Sequence, residues 1–192
     1  VRADRAAWVA HLQRQVDELV DRAPLSCLWF DAEWDWCWSH KDRLALYSHC
    51  RDRRNELVIN DRVDRSRQGM RGLPNGSVPD SIPIEWLDPL LYTYLRTPRP
   101  DVDYAGDFRT AENEVGVADH ETPWEACLML GTQWSWNSHP PRMTEAELIE
   151  HYLRTVSGGG NLLVNVSPDP DGRIPDEQIA LLTALGRETR AR

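Results

Sequence analysis

Lysine is nearly missing from this chain: Lys41 is the only one, and the remaining positive charge is carried by arginine, a skew that carries no mechanistic weight. With 22 basic against 31 acidic residues the formal net charge is -9. That balance argues against nucleic acid as the main partner, because phosphate binding depends on clustered cations. No apolar run approaches the roughly 20 residues that span a bilayer. Glycine-rich phosphate turns are absent after every candidate strand, so a nucleotide site is a weak reading. The four cysteines, Cys27, Cys37, Cys50 and Cys127, follow no zinc-ribbon spacing. Cys37, His40, His49 and Cys50 can be forced into a metal set, but free thiols are the preferred reading. Asp169-Pro170-Asp171-Gly172 has the look of a calcium loop without its further ligands, and reads as a tight turn. Neither a metal nor a cofactor is expected. The opening residues Val1-Arg2-Ala3-Asp4 carry neither an initiator methionine nor an apolar leader, and are read as the start of a truncated or processed chain.

Tryptophan, by contrast, is abundant: nine copies in 192 residues, with Trp29, Trp34, Trp36, Trp38, Trp134 and Trp136 in two clusters. The first cluster is the most informative stretch of the chain. In Leu28-Trp29-Phe30-Asp31-Ala32-Glu33-Trp34-Asp35 a short apolar run ends in three carboxylates interleaved with indoles. Strand alternation puts Trp29, Asp31 and Glu33 on one face and Leu28 and Phe30 on the other, so one face can be a site while the other packs. A carboxylate beside an aromatic platform at a strand end is what glycoside hydrolysis requires.

Periodicity supplies the frame. Trp8, Val9, Leu12, Val16, Leu19 and Val20 recur at helical spacing, and Pro24 ends that helix. Cys27 to Phe30 is a short strand; Ser39 and Asp42 open a second helix reaching Cys50; Leu57-Val58-Ile59 is a second strand delivering Asn60-Asp61-Arg62. From Val63 to Tyr104 the pattern dissolves, as in a functional loop or insertion. Trp124 to Leu130 is a third apolar segment. Thr144 and Glu147 form a capping box for a helix closed by Gly158-Gly159-Gly160. Asn161 to Val166 reads as a parallel strand covered on both sides, and Pro175 with Asp176 and Glu177 starts a last helix. Four strands and four helices in alternation predict an α/β fold with parallel pairing. A closed eight-stranded barrel takes about 250 residues, so the expectation is a partial (β/α)8-like barrel, its later strands and helices only. Residues 1–192 form one such part, with a loop or insertion at about 63–105. Strand edges left open would be covered by missing sequence, a complementing chain or another copy.

Taken in order, Leu28-Trp29-Phe30-Asp31, Val58-Ile59-Asn60-Asp61-Arg62, Gly106-Asp107-Phe108 with Thr110-Ala111-Glu112, Pro123-Trp124-Glu125, and Gly158 to Val166 resemble the C-terminal half of the catalytic domain of the α-L-fucosidases, glycoside hydrolase family 29. The resemblance implies a retaining exo-glycosidase that removes terminal α-L-fucose from a fucosylated oligosaccharide or glycoside. It implies Asp31 as nucleophile, Glu112 as general acid/base, and Arg62, Trp29 and Trp134 as sugar-binding residues. A retaining pair has its carboxyl groups about 5 to 5.5 Å apart. The family's fucose-binding histidines come from earlier strands that this chain does not contain; its own six histidines do not stand in their places.

Each assignment has a structural competitor. Asp31 can be a capping or salt-bridged aspartate, with Glu33 and Asp35 as substitutes. Glu112 can be a solvated surface residue. Arg62 can pair with Asp61 or Asp64, and Trp134 and Trp136 can be core. At the level of the whole chain, the alternative is a noncatalytic carbohydrate-binding or scaffolding fragment. A galactosidase of related fold is a third, weaker reading.

Overall fold

A computed structural model describes residues 5–31, 40–64, 105–113 and 119–190. The chain divides into two compact units, Val1–Arg109 and Thr110–Arg192.

In the first unit, helix α1 spans Arg5–Arg22, strand β1 Cys27–Leu28, helix α2 His40–Arg53 and strand β2 Val58–Ile59, followed by a 3-10 turn at Asp61–Val63. The buried stripe of α1 is narrower than its periodicity suggests. Val16 and Val20 are buried and Val9 and Leu12 pack against them, whereas Trp8 and Leu19 face solvent. That stripe meets Leu46 and Cys50 of α2 together with Leu57, Ile59, Val63 and Ala105. Acid and base pair across the two helices, Asp17 accepting from His49 at 2.8 Å and from Arg53 at 3.0 Å. The strands pair in parallel, Cys27 with Val58 and Leu28 with Ile59.

β1 is shorter than the Cys27 to Phe30 run predicts, for an identifiable reason. Beyond Leu28 the partner of the chain is a side chain, not a backbone: the amide of Asn60 accepts the Phe30 N–H at 2.7 Å and donates to the Phe30 carbonyl at 2.9 Å. Asn60 thus continues the ladder by one step while its own backbone turns away. Leu28 and Phe30 pack against the core as alternation requires.

The second unit contains β3 (Arg109–Glu112, opening at the boundary), β4 (Trp124–Met129), α3 (Glu145–Ser157), β5 (Asn161–Asn165) and α4 (Asp176–Arg190), with strand order β3-β4-β5. β4 and β5 are parallel, from Glu125 opposite Asn161 to Met129 opposite Asn165. β3 is the fifth strand among the described residues, where periodicity finds four; with only four residues its pattern is too short to declare itself. The capping box forms as expected, Thr144 N–H donating to Glu147 at 2.7 Å and Glu147 N–H to the Thr144 hydroxyl at 3.3 Å. Gly160 lies against the indole of Trp124, where an added Cβ would come within 2.4 Å of the ring. The indole N–H donates to the Gly158 carbonyl at 3.1 Å, so glycine here is a packing requirement of Trp124.

One expectation is corrected and one competing reading is set aside. β5 is not covered on both sides: Leu163 is 38% exposed and its neighbours are partly buried, so its continuous apolar run faces solvent in part. Trp134 and Trp136 are not core but exposed, on the segment after β4. The Asp169–Gly172 stretch is a turn: Asp169 accepts at its side chain from the N–H groups of Asp171 and Arg173, and Gly172 adopts φ 80°. Among the described residues Cys27, Cys50 and Cys127 form no disulfide, and no group of His, Cys, Asp or Glu side chains is placed to hold a metal ion. The metal reading also invoked Cys37, which lies outside the described residues, as do Ser39 and the stretch 65–104.

Candidate active site

The described part of the site is built where β1 and β2 end. Asn60, fully buried, leaves β2 and pins Phe30, which fixes the next residue, Asp31, at the mouth of the pair. After Asn60 the 3-10 turn reverses the chain, with Val63 N–H donating to the Asn60 carbonyl at 3.2 Å and Asp64 N–H to the Asp61 carbonyl at 3.1 Å. This turn aims Arg62 back across β1.

Its guanidinium Nη2 donates to one Asp31 carboxylate oxygen at 2.7 Å. The same guanidinium lies 5.2 Å from the centroid of the Trp29 indole. The pair is asymmetric: the Arg62 side chain is 6% exposed and that of Asp31 63% exposed. A buried cation therefore orients a carboxylate that itself faces outward. Trp29, Asp31 and Arg62 are brought together as one unit, and Arg62 takes Asp31 as a partner rather than only its neighbours Asp61 or Asp64.

The turn depends on close backbone approach. Phe108 bridges Asn60 in parallel, its carbonyl accepting the Asp61 N–H at 2.9 Å. Gly106 sits at φ 137°, and a Cβ there would fall 2.5 Å from the Asp61 Cα, so only glycine lets the chain pass. Asp107 staples this crossing to the helix: its carboxylate accepts the Ile59 N–H at 2.7 Å, the Tyr47 hydroxyl at 2.9 Å and the Arg51 guanidinium.

Glu112 closes β3 and is half-buried; Trp134 is exposed, with its carbonyl accepting from Asn165 at 3.0 Å. Both belong to the second unit. Glu33 and Asp35, the substitute carboxylates, lie outside the described residues. Sequence reasoning missed Asn60 as a site residue. A polar side chain at the end of an apolar strand, directly before Asp61-Arg62, was the available signal.

A family model for α-L-fucosidase matches residues 95–191, half of the chain. The chain belongs to the α-L-fucosidase family. A putative α-L-fucosidase of Caenorhabditis elegans is 25% identical over 187 residues, spanning 90% of this chain and 30% of the relative. The α-L-fucosidase of Thermotoga maritima is 26% identical with a TM-score of 0.62, covering 96% of this chain and 33% of that one. A family 29 fucosidase of Bacteroides thetaiotaomicron, solved as a trapped covalent intermediate with 2-fluoro-fucosyl fluoride, has a TM-score of 0.72 at 21% identity and covers 96% of this chain and 40% of its own; this likeness concerns the fold. The chain thus spans about a third of the length of these relatives. No helix among the described residues is long and apolar enough to cross a membrane.

Proposed function

We propose that this α/β chain is the later part of a (β/α)8-like catalytic barrel that hydrolyses terminal α-L-fucosides with retention of configuration, once the rest of the barrel is supplied by preceding sequence, a complementing chain or another copy. The observation that carries this reading is the Asp31–Arg62–Trp29 arrangement at the ends of adjacent parallel strands: an exposed carboxylate oriented by a buried cation beside an aromatic face. Catalytic groups of such barrels sit at the C-terminal ends of the strands.

In the proposed reaction an Asp31 oxygen attacks the anomeric carbon as the glycosidic C–O bond breaks, and Glu112 gives its proton to the leaving oxygen. Water then attacks the same carbon, losing a proton to the Glu112 carboxylate and releasing Asp31 from its ester. Trp29 and Trp134 pack on the apolar face and methyl group of the sugar, and Arg62 bonds a hydroxyl while fixing Asp31. Glu112 stands at a strand end, and the covalent intermediate trapped in the Bacteroides thetaiotaomicron relative supports a covalent step of this kind.

The test adds an activated aryl fucoside to the purified chain, to full-length protein and to its Asp31→Ala variant. Turnover that depends on Asp31 supports the proposal. Fucose binding without turnover in the full-length protein would favour a noncatalytic carbohydrate-binding role, and preference for the galactoside would move the substrate class.

A further inference from the structure

Directly after Glu112 comes the one non-glycine residue with positive φ among the described residues, Asn113 at 53°. Asparagine tolerates this left-handed conformation better than most residues, but its surroundings still have to hold it there. Two hydrogen bonds do so. The Asn113 N–H donates to the Cys127 carbonyl on β4 at 2.9 Å. Its side-chain Oδ1 accepts from Arg142 Nη1 at 3.0 Å. Arg142 is itself anchored, its N–H donating to the Leu130 carbonyl just past β4 at 2.7 Å. A cavity of about 200 Å³ opens between Asn113, Arg142, Leu128 and the first turns of α3. The turn that ends β3 is therefore held by hydrogen bonds, one of them from a side chain distant in sequence.

We propose that Arg142 is a positioning residue for Glu112: by gripping Asn113 it fixes the strand end from which Glu112 presents its proton to the leaving oxygen. The proposal rests on Glu112 being the acid/base. Arg142 touches neither substrate nor the reacting atoms; its effect passes through the backbone of Asn113. A small displacement of an acid costs most where the leaving group needs protonation.

The experiment compares two fucosides in the full-length enzyme, one with a strongly activated aryl leaving group and one with an alkyl leaving group. Arg142→Met and Asn113→Gly are the variants; the glycine permits the left-handed backbone and removes the side-chain acceptor. Both are expected to lower kcat/KM for the alkyl fucoside about 10- to 100-fold, and for the activated one by less than about threefold. Arg142→Lys, which keeps a donor, is expected to recover part of the loss. In a Glu112→Gln background Arg142→Met is expected to have no further leaving-group-dependent effect. Equal losses on both substrates, or an undiminished effect in the Glu112→Gln background, would overturn the positioning role and leave Glu112 in place. A Glu112→Gln variant whose losses do not depend on the leaving group would instead remove Glu112 as the acid, and the proposal with it.

Discussion

Arg62 grips one oxygen of Asp31 at 2.7 Å, and its side chain is nearly sealed from solvent while the carboxylate is open. A planar cation that stacks on Trp29 and donates to a carboxylate does two things that an ammonium cannot do together. Removing it therefore disturbs direction as well as charge.

Arg62→Met in the full-length enzyme is expected to lower kcat/KM for an aryl fucoside by roughly 10- to 100-fold, the loss of one charge-assisted hydrogen bond of about 1.5–3 kcal/mol. Arg62→Lys is expected to recover little of it. Recovery to near the parent rate would mean that charge alone matters. Steady-state kinetics on the three proteins decides.

Asn60 and Gly106 hold the same corner and fail differently. Asn60→Ala leaves the half-buried Phe30 N–H and carbonyl without this partner, at less than the about 1–3 kcal/mol that each fully buried unsatisfied group costs. Gly106→Ala forces a Cβ onto the Asp61 Cα and strains a positive φ. Denaturant unfolding is expected to show a lower midpoint for both, with activity lost in Gly106→Ala even where the fold survives, because Arg62 follows Asp61.

Cys50 and Cys27 are expected to separate in a thiol titration. Burial pushes the Cys50 thiol from 9.0 up to about 11, while Cys27 is exposed. Because the folded value is the higher one, the stabilising contribution of Cys50 is complete below about pH 9 and is lost as pH rises through about 11. A disulfide exchange reagent at neutral pH should modify Cys27 rapidly and Cys50 only on unfolding; fast native labelling of Cys50 would contradict its burial.

The capping box of α3 gives the acid side. The Thr144 N–H, and next its hydroxyl, hold the Glu147 carboxyl below the usual glutamate range. A lowered folded value means that the contribution is present above the ordinary glutamate range and is lost on acidification through the folded value. Thr144→Ala is expected to lower the thermal midpoint at neutral pH, and the gap from the parent should narrow as pH falls through that window. The Thr144 N–H remains in this variant, so only the hydroxyl's bond to the carboxylate is tested by pH, and a gap independent of pH would contradict that bond.

Much of this was legible in the sequence because local chemistry and tertiary packing agree there. The Thr144–Glu147 box, the Gly158 stop and the Asp169–Gly172 turn form from residues a few positions apart. Where partners are distant the sequence was mute. Nothing near Phe30 announces that Asn60 will take over the ladder, and the four residues of β3 are too few to show a period. Apolar runs also misled: that of β5 reads as buried on both faces, yet Leu163 is partly exposed, since periodicity records what a face can pack against and not whether anything lies there. Trp29, Asp31 and Arg62 were each singled out by residue type, while their common geometry came from the 3-10 turn.

The most direct test of the account is covalent trapping. Full-length protein is incubated with 2-fluoro-fucosyl fluoride, digested, and the modified peptide located by mass spectrometry. The account predicts a single fluorofucosyl adduct on Asp31, absent in Asp31→Asn. An adduct on Glu33, Asp35 or any other residue, or an Asp31→Asn enzyme that still turns over an aryl fucoside at the parent rate, would contradict it.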